Sequence, residues 1–131
     1  MKFMLMMHAP HTETWKVMDW KPDALHAHIK HMKDLNAELR ASGNLVGCEG
    51  LAPPGQARVV RSDKDKSPLV TDGPFAEAKE FLAGYWIVAV DSADEAYAIA
   101  ARASSAPGPD GAPMNMAIEV REVMSVAPVE V

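Results

Sequence analysis

Hydrophobic and polar side chains alternate at the N-terminus of the chain. Phe3, Leu5 and Met7 fall on one side of residues 2–8, and the two intervening methionines fall with His8 on the other. This period of two is typical of an extended strand. Because both sides stay apolar almost to His8, we predict a strand in the centre of a sheet.

A helical period replaces this alternation from Pro22 to about Ser42. Apolar residues recur there at helical spacing and form one stripe, made of Leu25, Ile29, Met32, Leu35 and Leu39. Pro22 and Asp23 suit the first turn of a helix. Gly43 supplies the left-handed residue that often ends one.

Beyond Gly43, short extended segments are separated by turn residues. We predict strands at residues 44–51, 58–61, 82–91 and 116–123, and extended structure again at 68–70. Other patterns predict a charged hairpin tip at 62–67, a turn at 71–74, a short helical turn at 75–80, and a loop rich in proline and glycine at 104–113.

A second helix is predicted to follow Ser92. Glu95 stands three residues after Ser92, which is the spacing of a capping box. Ala96, Ile99 and Ala100 share one side of this helix and predict its buried face.

The resulting order is strand, helix, strand, strand, helix, strand, within a single domain spanning residues 1–131. This order predicts an α+β fold in which two helices pack on one face of an antiparallel sheet. Cys48, Trp86 and the methionines of the first strand suggest that the other sheet face is also apolar. A second copy of the chain would cover that face, so we predict a homodimer joined sheet to sheet.

Composition excludes several classes of protein. The chain has 131 residues, is 48% hydrophobic and carries a net charge of −5 without a basic cluster, which disfavours direct binding to nucleic acid. Cys48 is the single cysteine, so an intramolecular disulfide is excluded. No export signal or membrane-spanning run is recognisable, and we expect a cytoplasmic protein that does not bind membranes.

Three residues are candidates for catalysis. Asp72 could act as a general base, although an Asp-Gly pair also shapes turns. His28 lies inside the apolar stripe, where an imidazole could transfer a proton or could simply be hydrogen-bonded in the core. His8, at the end of the first strand, is its rival. His31 lies at the edge of the stripe, and His26 projects to the opposite, wet side.

Three further residues are candidates for ligand binding. Glu77 could line a polar pocket mouth or belong to a solvated turn. Arg121 could bind a carboxylate or form a cross-strand ion pair. Tyr85 is the third, and it points to the sheet face opposite Trp86.

We expect no metal and no cofactor. The spacings His8-x-x-His11 and His28-x-x-His31 resemble pairs of metal ligands, but no third ligand stands at a convincing position. Glycine-rich nucleotide-binding patterns and a nucleophile elbow are absent from the sequence.

Several motifs together resemble the YCII-related family, in its DGPF branch. They are Leu69-Val70-Thr71-Asp72-Gly73-Pro74-Phe75-Ala76-Glu77, Leu82-Ala83-Gly84-Tyr85, the segments 39–43 and 45–51, Asp91-Ser92-Ala93-Asp94-Glu95-Ala96 and Ile118-Glu119-Val120-Arg121. The resemblance covers nearly the whole chain. It implies a ferredoxin-like fold that dimerises as an α/β barrel.

The resemblance also implies a function, although only in outline. A histidine and an aspartate have been suggested as catalytic in the wider family. Asp72 matches the DGPF motif, while the histidine belongs on the helix that holds His28 and His31, and the motifs leave open which one it is. Some members are fused to sigma-factor domains, which suggests a role in transcription initiation.

Three hypotheses follow. The first is a dimer that binds a small molecule or is a cofactor-free enzyme using a His–Asp pair. The alternative is a non-catalytic interaction module accessory to transcription initiation, which would act through protein rather than DNA. A purely structural relative that has lost the pair is the third.

Overall fold

The computed structural model describes residues 1–10, 20–75 and 79–125. The helices and strands in these ranges are β1 (Lys2–Pro10), α1 (Pro22–Ala41), β2 (Leu45–Gly50), β3 (Arg58–Ser62), β4 (Pro68–Asp72), β5 (Glu80–Ala89), α2 (Ala93–Ser104) and β6 (Ile118–Glu122). The helical turn predicted at 75–80 falls mainly outside the described residues, and Glu80 already belongs to a strand.

The strands form one antiparallel sheet and one separate hairpin. The sheet has the order β2-β5-β1-β6, so β1 is an inner strand, as predicted. Strands β3 and β4 pair with each other as a two-stranded sheet inserted between β2 and β5. With the hairpin set aside, the order is βαββαβ, and the predicted α+β, ferredoxin-like fold is confirmed.

Both helices pack on the same face of the four-stranded sheet. The core joins Leu35 and Leu39 of α1 and three alanines of α2 to the inner strands. Leu5 and Val88 at its centre have no exposed surface. Ile29 is 39% exposed, so the prediction that it belongs to the buried stripe of α1 is wrong. The buried residues of α1, Leu35 and Leu39, both lie in its second half.

The predicted helix ends are present. Gly43 follows α1 with a φ of 78°, the left-handed conformation that glycine adopts without strain. At the start of α2, the backbone N–H of Glu95 donates to the Ser92 hydroxyl at 3.3 Å. The Glu95 carboxylate accepts from the N–H of Asp91 at 3.1 Å, one residue before the usual capping-box partner.

The two faces of the sheet are assigned by strand register. Leu5 pairs with Trp86, and Trp86 pairs with Cys48, so all three point towards the helices. The prediction that Cys48 and Trp86 contribute to an apolar second face is therefore wrong. We call that second face the open face, and it presents the half-buried side chains of Met4, Met6, Tyr85 and Ile87.

The turn predicted at 71–74 is partly wrong. Thr71 and Asp72 are the last residues of β4, where they pair with Val59 and Arg58 of β3. Regular pairing in the hairpin therefore continues up to Gly73.

None of the helices within the described ranges combines the length and the apolar character needed to cross a bilayer.

Candidate functional site

A cleft opens between α1 and the helix-facing side of the sheet. His28, Met32 and Asn36 form its helical wall. They stand four residues apart, so one face of α1 carries all three side chains in a row. Polar groups therefore stand at both ends of this wall, with an apolar thioether between them.

The opposite wall of the α1–sheet cleft belongs to three neighbouring strands. Its apolar part consists of Met7, Cys48, Gly50, Gly84 and Trp86. The cleft volume is about 300 Å³, at the lower end of the range typical of ligand sites. One methionine and two glycines leave this wall flat and adaptable.

His28 is held in one tautomer by the backbone. Its Nδ1 lies 3.0 Å from the carbonyl oxygen of Pro107. A carbonyl oxygen only accepts, so Nδ1 carries the proton and Nε2 of the neutral ring keeps its lone pair. The ring also meets Trp20 edge to face, with centroids 5.3 Å apart. These contacts fix the ring and leave Nε2 as its basic nitrogen.

Asn36 is held by a second long-range hydrogen bond. The indole Nε1–H of Trp86 donates to its Oδ1 at 2.8 Å. An indole N–H only donates, so this bond fixes the orientation of the amide. Within the described residues the Nδ2 group has no hydrogen-bond partner, so it remains a donor at the cleft.

His31 and His8 lie elsewhere. His31 Nε2 donates to the carbonyl of Arg102 at 2.7 Å and thereby caps the last turn of α2. His8 shares the open face with Met4 and Met6, where its Nε2 donates to a carboxylate oxygen of Glu119 at 3.0 Å. His28 is thus the histidine that borders the cleft.

Asp72 stands apart from the histidines. It ends β4, and its side chain is 96% exposed. Its carboxylate lies 3.7 Å from the guanidinium of Arg58 on the paired strand. Within one chain, the partner of Asp72 is therefore Arg58. Pairing of Asp72 with His28 or His8 stays a prediction.

Two of the three candidate ligand-binding residues, Arg121 and Tyr85, lie within the described residues. Glu77 lies outside the described residues. Arg121 is exposed on the open face, and it forms no ion pair with the part of the chain that the structure describes. Tyr85 borders the cleft, while strand alternation turns its side chain to the open face.

The described residues contain no cluster of three or more side chains that could bind a metal ion. Over residues 1–10, 20–75 and 79–125, no three side chains of the His, Cys, Asp and Glu types converge as metal ligands. His28 and His31 use one ring nitrogen each to bind different backbone carbonyls.

Sequence reasoning missed Asn36. The four-residue spacing of His28, Met32 and Asn36 could have indicated it, because this spacing places the Asn36 amide on the same helix face as the His28 imidazole. A polar residue beside Leu35 in an otherwise apolar stripe could have indicated a buried hydrogen bond. Its partner Trp86 could not be recognised from local pattern.

The chain is similar to a known protein family and to a curated protein. The family model of the YCII-related domain matches residues 1–124. A protein of Rhizobium meliloti (strain 1021) described as Uncharacterized protein R00369 is 37% identical over 78 residues. That alignment covers 57% of this chain and 62% of the relative, so it spans less than two thirds of the relative's length.

Proposed function

Given that the chain belongs to the YCII-related family, we propose that it binds a small molecule and that the binding site is the α1–sheet cleft. His28 accepts a hydrogen bond, or a proton, from the ligand through Nε2. The chemistry needs no bound cofactor, because a neutral imidazole can accept a proton by itself.

One observation carries this proposal. His28 lines the cleft, and the hydrogen bond from its Nδ1 to the Pro107 carbonyl leaves Nε2 as the acceptor of the neutral ring. Carbonyl-held imidazoles of this kind present one defined acceptor, which is what a general base requires.

The experiment that tests the site is an NMR titration with neutral aromatic fragments and ¹³C-methyl methionine. Ligands in the cleft should shift the methyl signals of Met7 and Met32. Met4 and Met6 on the open face act as internal controls. If no fragment shifts the two cleft methyls more than the two controls, the proposed site is wrong.

A blocking variant sharpens this test. A Cβ added at Gly50 meets no atom within 4 Å, and Gly50 lines the cleft, so Gly50→Leu should fill it without a clash. Gly55→Leu is the matched control, because a Cβ there also meets open space outside the cleft. Binding should be lost in the first variant and kept in the second.

Dimerisation through the open face is part of the proposal. The helices cover one face of the sheet, while Met4, Met6, Tyr85 and Ile87 are only half-buried on the other. An apolar patch of this kind, bordered on the same face by His8, Glu119 and Arg121, is typical of an interface. Sedimentation velocity should show a dimer for the wild type and a monomer for Ile87→Lys. A dimer that survives Ile87→Lys would exclude this face.

The His–Asp pair is tested separately. If Asp72 acts with a histidine, Asp72→Asn should abolish turnover of any substrate found by the fragment search. Arg58→Gln removes the observed partner of Asp72 and should leave turnover intact. Equal activity of Asp72→Asn and wild type would assign Asp72 to the hairpin alone.

A second candidate function is protein interaction through the β3–β4 hairpin. Val60, Leu69 and Val70 on this hairpin are each more than half exposed, and two-stranded hairpins rarely stand alone. In keeping with the family's suggested link to transcription initiation, the partner to test is purified RNA polymerase holoenzyme. Wild-type binding that Val60→Lys abolishes would support this candidate, and no binding would exclude that partner.

A further inference from the structure

His28 and Asn36, at the two ends of the α1–sheet cleft, differ in hydrogen-bonding character, and this difference selects a class of ligand. The selection rests on the proposed function, in which the cleft is the binding site. We infer that the ligand is a neutral, elongated molecule with a carbonyl at the Asn36 end, a hydroxyl at the His28 end and an apolar ring between them. The argument has four parts: the donor end, the acceptor end, the spacing and the charge.

Asn36 supplies the donor end. Because its Oδ1 already accepts from the Trp86 indole at 2.8 Å, the amide cannot turn round without leaving that N–H unpaired. Its Nδ2 therefore presents N–H donors only. A carbonyl oxygen of the ligand satisfies such a donor.

His28 supplies the acceptor end. Its proton is on Nδ1, facing the Pro107 carbonyl, so Nε2 accepts and does not donate. A hydroxyl group of the ligand is the complementary partner. The two ends therefore have opposite hydrogen-bonding character, and the ligand can enter in one orientation only.

Helix geometry sets the length of the ligand. His28 and Asn36 are eight residues apart on α1, which corresponds to about 12 Å along the helix axis. Taking the two side chains as projecting in parallel from α1, and the two hydrogen bonds of roughly 3 Å each as lying along its axis, about 6 Å is left between the two polar atoms of the ligand. Opposite substituents on one six-membered ring span a comparable distance. Met32 lies between the two ends, where it would contact the ring.

Charge excludes anions from the class. Among the described residues that line the cleft, none is lysine or arginine. A carboxylate or phosphate would lose its hydration there without gaining a cation. A neutral carbonyl has a much smaller desolvation cost.

The test uses 4-hydroxyacetophenone as the probe, which has a hydroxyl and a carbonyl at opposite ends of one ring. Acetophenone lacks the hydroxyl, 4-ethylphenol lacks the carbonyl, and 4-hydroxybenzoate carries a negative charge. Affinity is measured from the methyl shifts of Met7 and Met32. The anion should bind at least about tenfold more weakly than the neutral probe.

Two near-isosteric variants separate the ends. Asn36→Asp keeps an acceptor for the Trp86 indole but removes the N–H donors, and His28→Asn keeps a donor for Pro107 but removes Nε2. Asn36→Asp should weaken 4-hydroxyacetophenone about tenfold and spare 4-ethylphenol. His28→Asn should weaken 4-ethylphenol and spare acetophenone. A retained Trp86 indole N–H signal shows that each variant is folded.

The outcomes distinguish this inference from the proposed function. If the probes shift Met7 and Met32 but the variants weaken all of them equally, or none, the cleft binds ligands and the assigned class is wrong. If the anion binds as tightly as the neutral probe, the class is also wrong. If no probe shifts the two cleft methyls, the site and the ligand class fail together.

Discussion

The indole Nε1–H of Trp86 donates a 2.8 Å hydrogen bond to Oδ1 of Asn36 and so joins an inner strand of the sheet to α1. Trp86 is 5% exposed, and the Asn36 amide is the partner that satisfies its N–H in this largely buried position. The same bond holds the helical wall of the cleft at a fixed distance from the sheet. Stability and the shape of the candidate site thus depend on one contact.

Removing this acceptor should destabilise the fold. Asn36→Ala leaves the Trp86 indole N–H without its partner, which should lower the free energy of unfolding by about 1–3 kcal/mol. Urea denaturation measures the change. Lys33→Ala, at an exposed position of the same helix, is the control and should change stability by less than about 0.5 kcal/mol. Equal effects of the two variants would show that the hydrogen bond contributes little.

Gly84 should resist substitution by alanine. A Cβ there would lie 3.0 Å from the backbone oxygen of Glu49 on the neighbouring strand, so β2 and β5 would have to separate slightly. We expect Gly84→Ala to lower stability by about 1–3 kcal/mol. Gly47→Ala is the matched control, because a Cβ at Gly47 meets nothing within 4 Å. A Gly84→Ala protein as stable as Gly47→Ala would contradict the close approach of the strands.

His31 should stabilise the end of α2. Its Nε2–H donates to the Arg102 carbonyl, one of the last carbonyls of α2, which also accepts from the Ser105 hydroxyl at 3.0 Å. His31→Ala should cost about 0.5–1.5 kcal/mol and increase amide hydrogen exchange near Arg102. His26→Ala, at an exposed position of the same helix, should do neither. Unchanged exchange at Arg102 in His31→Ala would exclude the capping role.

Lys30 should titrate at an unusually high pH. The hydrogen bond that it donates to Asp34, together with the attraction between the two charges, holds the pKa of the Lys30 ammonium above its ordinary value of 10.5. NMR titration of the Nζ group should show this, and Asp34→Asn should return the pKa to the ordinary value. An identical pKa in both proteins would contradict the pair.

The sign of the accompanying pH effect follows from the raised pKa. A group with a higher pKa in the folded state favours folding while it is protonated in both states. The contribution of this pair is therefore fully present below pH 10.5 and is lost as the pH rises through the folded pKa. Because both side chains are exposed, added salt should weaken it.

Local pattern in the sequence determined the elements of this fold. The alternation of residues 2–8, the apolar residues around Leu35 and Leu39, and the caps at Gly43 and Ser92 each depend on neighbours within one or two turns. Such signals are readable because period and capping are properties of short segments. They sufficed to predict the βαββαβ order and the α+β class.

The tertiary structure alone decided which residues form the candidate site. His28 meets a carbonyl 79 residues away, and Asn36 meets an indole 50 residues away. The Pro107 acceptor is a backbone group, which every residue type carries, so its role leaves no mark in the sequence. Asp72, the residue with the clearest motif, lies instead on an exposed hairpin with Arg58. Sequence pattern reports local geometry, whereas a site depends on contacts that only folding brings together.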